Sequence, residues 1–414
     1  MKKTILFLTL CILSLAHLYA QQPPPAFEWA RQIGGSGSEN IFDIATDSEG
    51  NVYVILHLSY SDTIDIDPGP NIYNIIIDSL ATSATSCIKL NPEGELLWAK
   101  TFFSYPYHSH VLRNISLDSF GNIYITGGFW GDSLDFDPGP EEFYLSTIPP
   151  GDTIGHSCGF ILKLNAEGSF IWAKTIGVGT YTGSNFGCRG EKIIINDNDF
   201  VYLTGRFSNT GDFDPGPDTF TLNPSGAMYD AAGDFTGYTP NIFIAKYTLD
   251  GDFIWAKKVK VGNEDNGNAH DTDNLAVDAA GNVYKTGRFW GESNFGQYTL
   301  TADDEDDEPT YGVYVFKLNS EGGFEWAFSY QEDEEGWIFT KDIAIDKEGD
   351  VIVAGGANNL VDLDLGTGEY YLSGERGAII HKLSPEGEFI SVTDFSCHDS
   401  LCDSGGYSIY NIEF

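Results

Sequence analysis

The stretch from Lys89 to Lys100, Lys-Leu-Asn-Pro-Glu-Gly-Glu-Leu-Leu-Trp-Ala-Lys, is written again with small changes along the rest of the chain. Copies end at Trp98-Ala99-Lys100, Trp172-Ala173-Lys174, Trp255-Ala256-Lys257 and Trp326-Ala327-Phe328, with a partial copy at Trp29-Ala30-Arg31 and a weak one at Phe389-Ile390-Ser391. The tryptophans at 29, 98, 172, 255 and 326 stand 69, 74, 83 and 71 residues apart, so insertions fall inside a unit whose ends are constant. Repetition at this period argues for an array or a propeller.

Each unit opens with an apolar run closed by a turn, as in Asp43 to Asn51 followed by Val52-Tyr53-Val54. Gly supplies the positive φ of a short loop, Asp can cap it, and Val/Tyr/Val suits a pleated strand, so the segment reads as a β-hairpin. The signal returns from Asp118 to Tyr124, Asp197 to Tyr202 (without the Gly), Asp278 to Tyr284 and Asp346 to Val351. A second hairpin joins a Lys-Leu strand to the Trp-Ala strand: Ile88 to Trp98, Ile161 to Trp172, Ile244 to Trp255, Phe316 to Trp326 and Ile380 to Ile390. Helical periodicity is missing downstream of the N-terminal apolar run. The expected fold is therefore all-β, a β-propeller of four-stranded blades.

Between the hairpins lie Asp65-Ile66-Asp67-Pro68-Gly69-Pro70, Asp135-Phe136-Asp137-Pro138-Gly139-Pro140 and Asp212-Phe213-Asp214-Pro215-Gly216-Pro217, with eroded versions at Ser293 to Gly296 and Asp362 to Gly366. Together, Asp-x-x-Gly-Asn-Val-Tyr, Asp-Phe-Asp-Pro-Gly-Pro and Phe-Ile-x-Lys-Leu-x-x-x-Gly-x-Phe-x-Trp-Ala-Lys resemble the bacterial SBBP-type β-propeller repeat of secreted and cell-surface proteins, over roughly residues 27 to 395. The resemblance implies a fold and no particular activity. The pairs Gly94/Trp98, Gly168/Trp172 and Gly251/Trp255 are also similar to the docking motif of quinoprotein propellers, which implies indoles wedged between neighbouring blades.

Lys2-Lys3, the apolar run Thr4 to Leu15 and Leu18-Tyr19-Ala20 have the layout of a cleaved secretory signal, so the mature chain is expected to be secreted or displayed at the outer cell surface. Cys11 lies inside that apolar run, which disfavours a lipoprotein. The formal net charge is −39, and loss of Lys2 and Lys3 takes it to −41. Such a surface repels nucleic acid and anionic membranes, and no later apolar run is long enough to span a bilayer. The acidic run Asp303 to Glu308 reads as a solvated insertion loop. Five cysteines follow the signal, of which Cys397 and Cys402 are close enough to form a small disulfide, with metal binding as the alternative.

The organisation read from these signals is a signal peptide over 1–20, a Pro-rich leader over 21–26 and a propeller over 27–414, with blades at approximately 41–103, 114–177, 191–260, 273–330 and 341–395. Residues 405–414 and 27–33 are expected to contribute to one further, partial blade. Either five blades close alone with two spare strands, or the sequence stops short of a sixth; proteins of the resembling group often carry a C-terminal sorting domain, which favours the second.

No His-Glu-x-x-His, Gly-x-Ser-x-Gly, P-loop or dinucleotide fingerprint is present. The close pair His108 and His110 sits in an aromatic loop and is expected at the surface. Trp130 and Trp290, at equivalent strand ends, with Tyr60, Arg206 and Arg288 in matching segments, are the candidate ligand-binding residues; indoles at a rim can stack on sugars or anchor a protein, and blade-to-blade packing is the competing role. The paired carboxylates Asp65/Asp67, Asp135/Asp137 and Asp212/Asp214 offer the hard oxygens calcium prefers, and could equally cap their Pro-Gly turns. Because the units repeat the same structural residues, the expected role is a non-catalytic scaffold binding protein or glycan, with oligomeric state left open. The competing readings are a propeller-fold glycoside hydrolase or lyase and a passive spacer. Against a sialidase-like site, Arg31, Arg113, Arg189, Arg206, Arg288 and Arg376 occupy mostly different slots of the repeat.

Overall fold

A computed structural model describes residues 29–34, 37–59, 63–77, 80–106, 108–131, 133–148, 157–179, 187–225, 227–229, 235–238, 241–260, 274–302, 311–331, 337–358, 360–366, 368–373 and 376–396. Contacts divide the chain into Met1–Gln32 and Ile33–Phe414. In the first unit only residues 29–32 are described, and they lie outside any strand. Tyr60, Cys397, Cys402 and residues 405–414 fall outside the described residues.

The second unit is built around five antiparallel sheets in chain order, each with a path of four strands, to which sheet 4 adds a fifth. Sheet 1 comprises Ser38–Thr46, Val52–Ser59, Ser83–Leu90 and Leu96–Ser104; sheet 2 comprises Ser109–Leu117, Ile123–Trp130, Cys158–Leu164 and Phe170–Ile176. Sheet 3 runs Cys188–Ile195, Phe200–Phe207, Asn241–Thr248 and Phe253–Val259; sheet 4 runs Leu275–Val277, Val283–Phe295, Tyr311–Leu318 and Phe324–Gln331. Sheet 5 runs Ile338–Ile345, Val351–Asn358, Arg376–Leu383 and Phe389–Ser396. No helix occurs among the described residues, and the fold is all-β with propeller-type blades.

The first hairpin of sheets 1, 2, 4 and 5 is fastened by one carboxylate. Asp47 Oδ1 accepts the amides of Glu49 and Asn51, and its Oδ2 accepts the Asn51 side chain and the Tyr53 hydroxyl. Burial raises the Asp47 pKa, but these hydrogen bonds outweigh it and hold the group below the usual carboxylate range. Asp118 and Asp278 repeat the arrangement with Tyr124 and Tyr284. In sheet 3 the equivalent residue is Asn196, not Asp197: its Oδ1 accepts the Phe200 amide, and Asp199 takes the left-handed turn position at φ 59° where the other units have Gly. Asp and Asn tolerate that conformation better than most residues, which is how the turn survives loss of its glycine.

Second, third and fourth strands align a Tyr, a Lys and a Trp in one cross-strand row. Tyr53 faces Lys89, which faces Trp98, and the register repeats at Tyr124/Lys163/Trp172, Tyr202/Lys246/Trp255 and Tyr284/Lys317/Trp326. The indole meets the tyrosine ring edge-on or tilted at 6.1–6.5 Å, and each lysine ammonium sits over the tyrosine face at 4.8–5.5 Å.

Each indole then packs on the following sheet. A methyl group added at Gly168 would lie 3.3 Å from Trp98; at Gly251, 2.9 Å from Trp172; at Gly322, 3.0 Å from Trp255; at Gly387, 3.1 Å from Trp326. These glycines hold the second-hairpin turn at φ 73–84°, so they are fixed both by backbone conformation and by the indole above. Lys163, Lys246 and Lys317 donate to the turn carbonyls of Leu249, Ser320 and Pro385 in the same neighbour. In sheet 5 the row reads Ile352, Lys382 and Ser391, and Lys382 turns instead to Asp346 and Asp350 at 2.7 and 2.8 Å.

First strands differ from sheet to sheet. Four contain a bulge at the same point, occupied by Phe42, Arg113, Glu191 and Lys341. This departs from the expectation that every unit repeats the same structural residues. Beside the bulges, Asp43 accepts Asn114 Nδ2 and the Ile115 amide, and Asn114 Oδ1 accepts the Ile193 amide, stitching sheets 1, 2 and 3 together.

Candidate ligand-binding site

The Asp-x-Asp loops fold back onto their own sheets. Asp135 Oδ1 accepts the amides of Asp137 and Phe143 at 3.0 and 2.8 Å, and Asp137 Oδ1 accepts the Gly139 amide at 2.7 Å. Asp65/Asp67 and Asp212/Asp214 make the same three bonds. So do Asp362 and Asp364, although that loop has lost both prolines and its sequence looks eroded. The residue between the two acids is fully buried as Ile66, Phe136, Phe213 or Leu363. Fastening this apolar plug is what the acids do in the fold, and among the described residues no group of three His, Cys, Asp or Glu side chains is arranged to hold a metal ion. In sheet 4 the loop is a hairpin, the strand Val283–Phe295 pairing with Tyr298–Ala302.

In sheet 2 the plug leaves a cavity of about 310 Å³ between the end of sheet 1 and the Asp135 loop. Its wall carries Thr101, Tyr105, His108, His110, Asp135 and Tyr144. A tight turn, closed by hydrogen bonds in both directions between Tyr105 and His108, carries the chain from sheet 1 into sheet 2 and so aims Tyr105 and His108 at the opening. Tyr105 and Tyr144 are 41% and 52% exposed, forming an aromatic rim.

His110 occupies the floor. It is 5% exposed, in contrast to the surface position its sequence context suggested, because strand alternation turns it inward between Phe102 and Phe136, with ring centroids at 5.9 and 4.9 Å. Burial lowers its pKa to about 4, against the opposing pull of the Phe103 and Asp135 backbones and the Asp135 charge. The imidazole is neutral at pH 7, and neither ring nitrogen closes a hydrogen bond of ordinary geometry among the described residues. Such a ring can accept from one hydroxyl and donate to another.

The residues singled out from sequence are spread over different surroundings. Trp130 is 41% exposed and stands beside this cavity, since the next residue, Gly131, packs against His108 and Leu134. Trp290 holds the equivalent backbone position in sheet 4, opposite Tyr311. Arg206 lies elsewhere: its Nε and that of Arg189 both donate to Glu191 Oε1 at 2.9 Å, with Glu191 buried. Arg288 is half-buried on the second strand of sheet 4 opposite Val313. Tyr105, Tyr144 and Glu191 carried no motif that would have marked them in advance.

Residues 28–55 match the SBBP beta-propeller repeat family. The chain is also 24% identical over 254 residues to an uncharacterized WD repeat-containing protein of Acanthamoeba polyphaga mimivirus, an alignment covering 56% of this chain and 17% of that relative's length. Among solved structures, an ACO/RPE65 chimera aligns over 91% of this chain and 83% of its own, at 12% identity and a TM-score of 0.28. A variant of that chimera aligns over 88% and 82%, at 10% identity and 0.27.

Proposed function

We propose that this β-propeller scaffold is secreted or displayed at the cell surface, is not an enzyme, and binds a neutral glycan in the cavity of sheet 2. The observation that carries the proposal is His110: a buried, neutral imidazole that faces the Phe103 and Asp135 backbones, on the floor of a cavity rimmed by Tyr105 and Tyr144. Sugar hydroxyls both donate and accept, and sugar C–H faces stack on aromatic rings, so the two halves of the site suit one ligand class. A nucleic acid would meet a chain of net charge −39, which repels it. Export rests on the Lys2-Lys3 and apolar N-terminal pattern. Against hydrolysis, the two cavity carboxylates, Asp135 and Asp137, hold backbone amides through Oδ1 as their counterparts do in three other sheets.

The test is a panel of neutral oligosaccharides followed by calorimetric titration of those that bind. Tyr144→Ala should weaken binding about tenfold, the loss of roughly 1.4 kcal/mol of stacking, with unchanged melting temperature. Equal affinity of Tyr144→Ala and wild type, or no binding to any sugar in the panel, would overturn the site. Release of reducing ends from a bound oligosaccharide would overturn the non-catalytic assignment.

A further inference from the structure

We propose that Cys158 and Cys188 form a disulfide that joins sheet 2 to sheet 3. Cys158 opens the third strand of sheet 2 and Cys188 the first strand of sheet 3. The Cys188 amide donates to the Ser157 carbonyl at 2.7 Å, and Ser157 Oγ donates to the Cys188 carbonyl at 3.3 Å. Traced from the Cys158 Cα through the Ser157 oxygen and that hydrogen bond, the path to the Cys188 Cα is at most about 7 Å, and any bend at the oxygen brings it inside the range disulfides span.

The sulfurs converge as well as the backbones. The amide of Gly159, the residue after Cys158, is a hydrogen-bond partner of the Cys188 sulfur. Cys158 Sγ lies 3.9 Å from the Gly177 carbonyl, and a methyl group at Gly177 would stand 2.5 Å from Cys188 Sγ. Gly177 thus borders both sulfurs, which are free thiols in this structure. Cys87, in the third strand of sheet 1 between Ile55 and Lys100, is equally buried and serves as an internal control.

Formation needs an oxidant of the small-molecule disulfide class. One thiolate attacks RSSR and expels RS⁻, giving a mixed disulfide; the second attacks the protein sulfur and expels another RS⁻, so two protein thiols become one S–S bond and RSSR becomes two RSH. Both thiols are buried in the folded protein, where Cys158 is pushed up to about 12, so exchange belongs to the stage before sheets 2 and 3 close on each other.

Refolding the full chain with reduced and oxidised glutathione, alkylating without reduction and digesting with trypsin tests the bond. The two cysteines fall on separate tryptic peptides, residues 114–163 and 175–189, while Cys397 and Cys402 share residues 383–414, so the pairing is unambiguous. The expected result is a linked 114–163/175–189 species that dithiothreitol separates, with Cys87 alkylated throughout. Dithiothreitol should also lower the melting temperature of wild type and of Cys87→Ser by several degrees, and of Cys188→Ser much less. Alkylation of both Cys158 and Cys188 in unreduced protein would overturn the proposal whatever the variants do.

Discussion

Trp255 Nε1 donates to the carbonyl oxygen of Ser320, 3.0 Å away in the next sheet, and Trp326 makes the same bond to Pro385 at 3.1 Å. Both indoles are 7% exposed, and both carbonyls stand two residues before the turn glycine on which the indole rests. One side chain therefore closes its own sheet and caps the turn of its neighbour. Trp255→Ala should destabilise the protein by about 3–5 kcal/mol, the usual range for deleting a buried aromatic. Trp255→Phe should cost less, and denaturant midpoints of the two variants measure the difference.

Glycines in the two kinds of turn should respond differently. Gly121 and Gly251 have nearly the same φ, 79° and 75°, but a methyl at Gly121 meets only the Ala166 Cβ at 3.7 Å, whereas one at Gly251 meets Trp172 at 2.9 Å and Lys174 at 2.8 Å. Gly121→Ala should lose about 1–2 kcal/mol for the left-handed backbone alone. Gly251→Ala should lose clearly more, and equal chemical-denaturation losses would remove the packing argument.

Acid should weaken the fold before the carboxylates titrate. Burial holds His110 at about 4 and His381 at about 3, both below the ordinary histidine value near 6.5. Between those limits the unfolded chain binds protons that the folded chain refuses, so stability falls as pH drops below about 6.5. At pH 5 each histidine should account for about 2 kcal/mol of the loss. His381 also pairs with the Tyr330 hydroxyl and packs on Phe389. Melting curves of His110→Gln from pH 7 to 5 should show a flatter decline than wild type; parallel curves would contradict the assignment.

Calcium should leave stability unchanged. The loop acids hold backbone amides, and Asp135 accepts two of them. Asp135→Ala should cost about 2–3 kcal/mol by orphaning both, with and without the ion. A rise in melting temperature when calcium is added to chelator-treated wild type would show that the loops coordinate it.

What the sequence disclosed was whatever is local and repeated. The Gly-x-x-x-Trp spacing marks a hairpin whose glycine and indole have fixed places, and the docking role of Trp98, Trp172 and Trp255 was what its resemblance to quinoprotein propellers implied. The frame of the third turn was misplaced by one residue, because Asn196 caps it and Asp199 substitutes for glycine, a combination with no motif. The aromatic loop around His110 suggests exposure, but strand alternation after the Tyr105–His108 turn directs the ring inward, and that turn carries no motif. Glu191 was invisible for a related reason: a bulge decides which way it points, and its partners Arg189 and Arg206 come from two strands.

The contact between Trp172 and Gly251 offers the most direct test of the claim that one packing interaction, repeated, holds successive sheets together. Unfolding free energies of Trp172→Phe, Gly251→Ala and the double variant define their coupling, since residues in contact depart from additivity by about 0.5–3 kcal/mol. The account predicts a coupling above about 1 kcal/mol, because either change alone already spoils the fit of indole on turn. Losses that simply add would place the two residues in separate environments and contradict it.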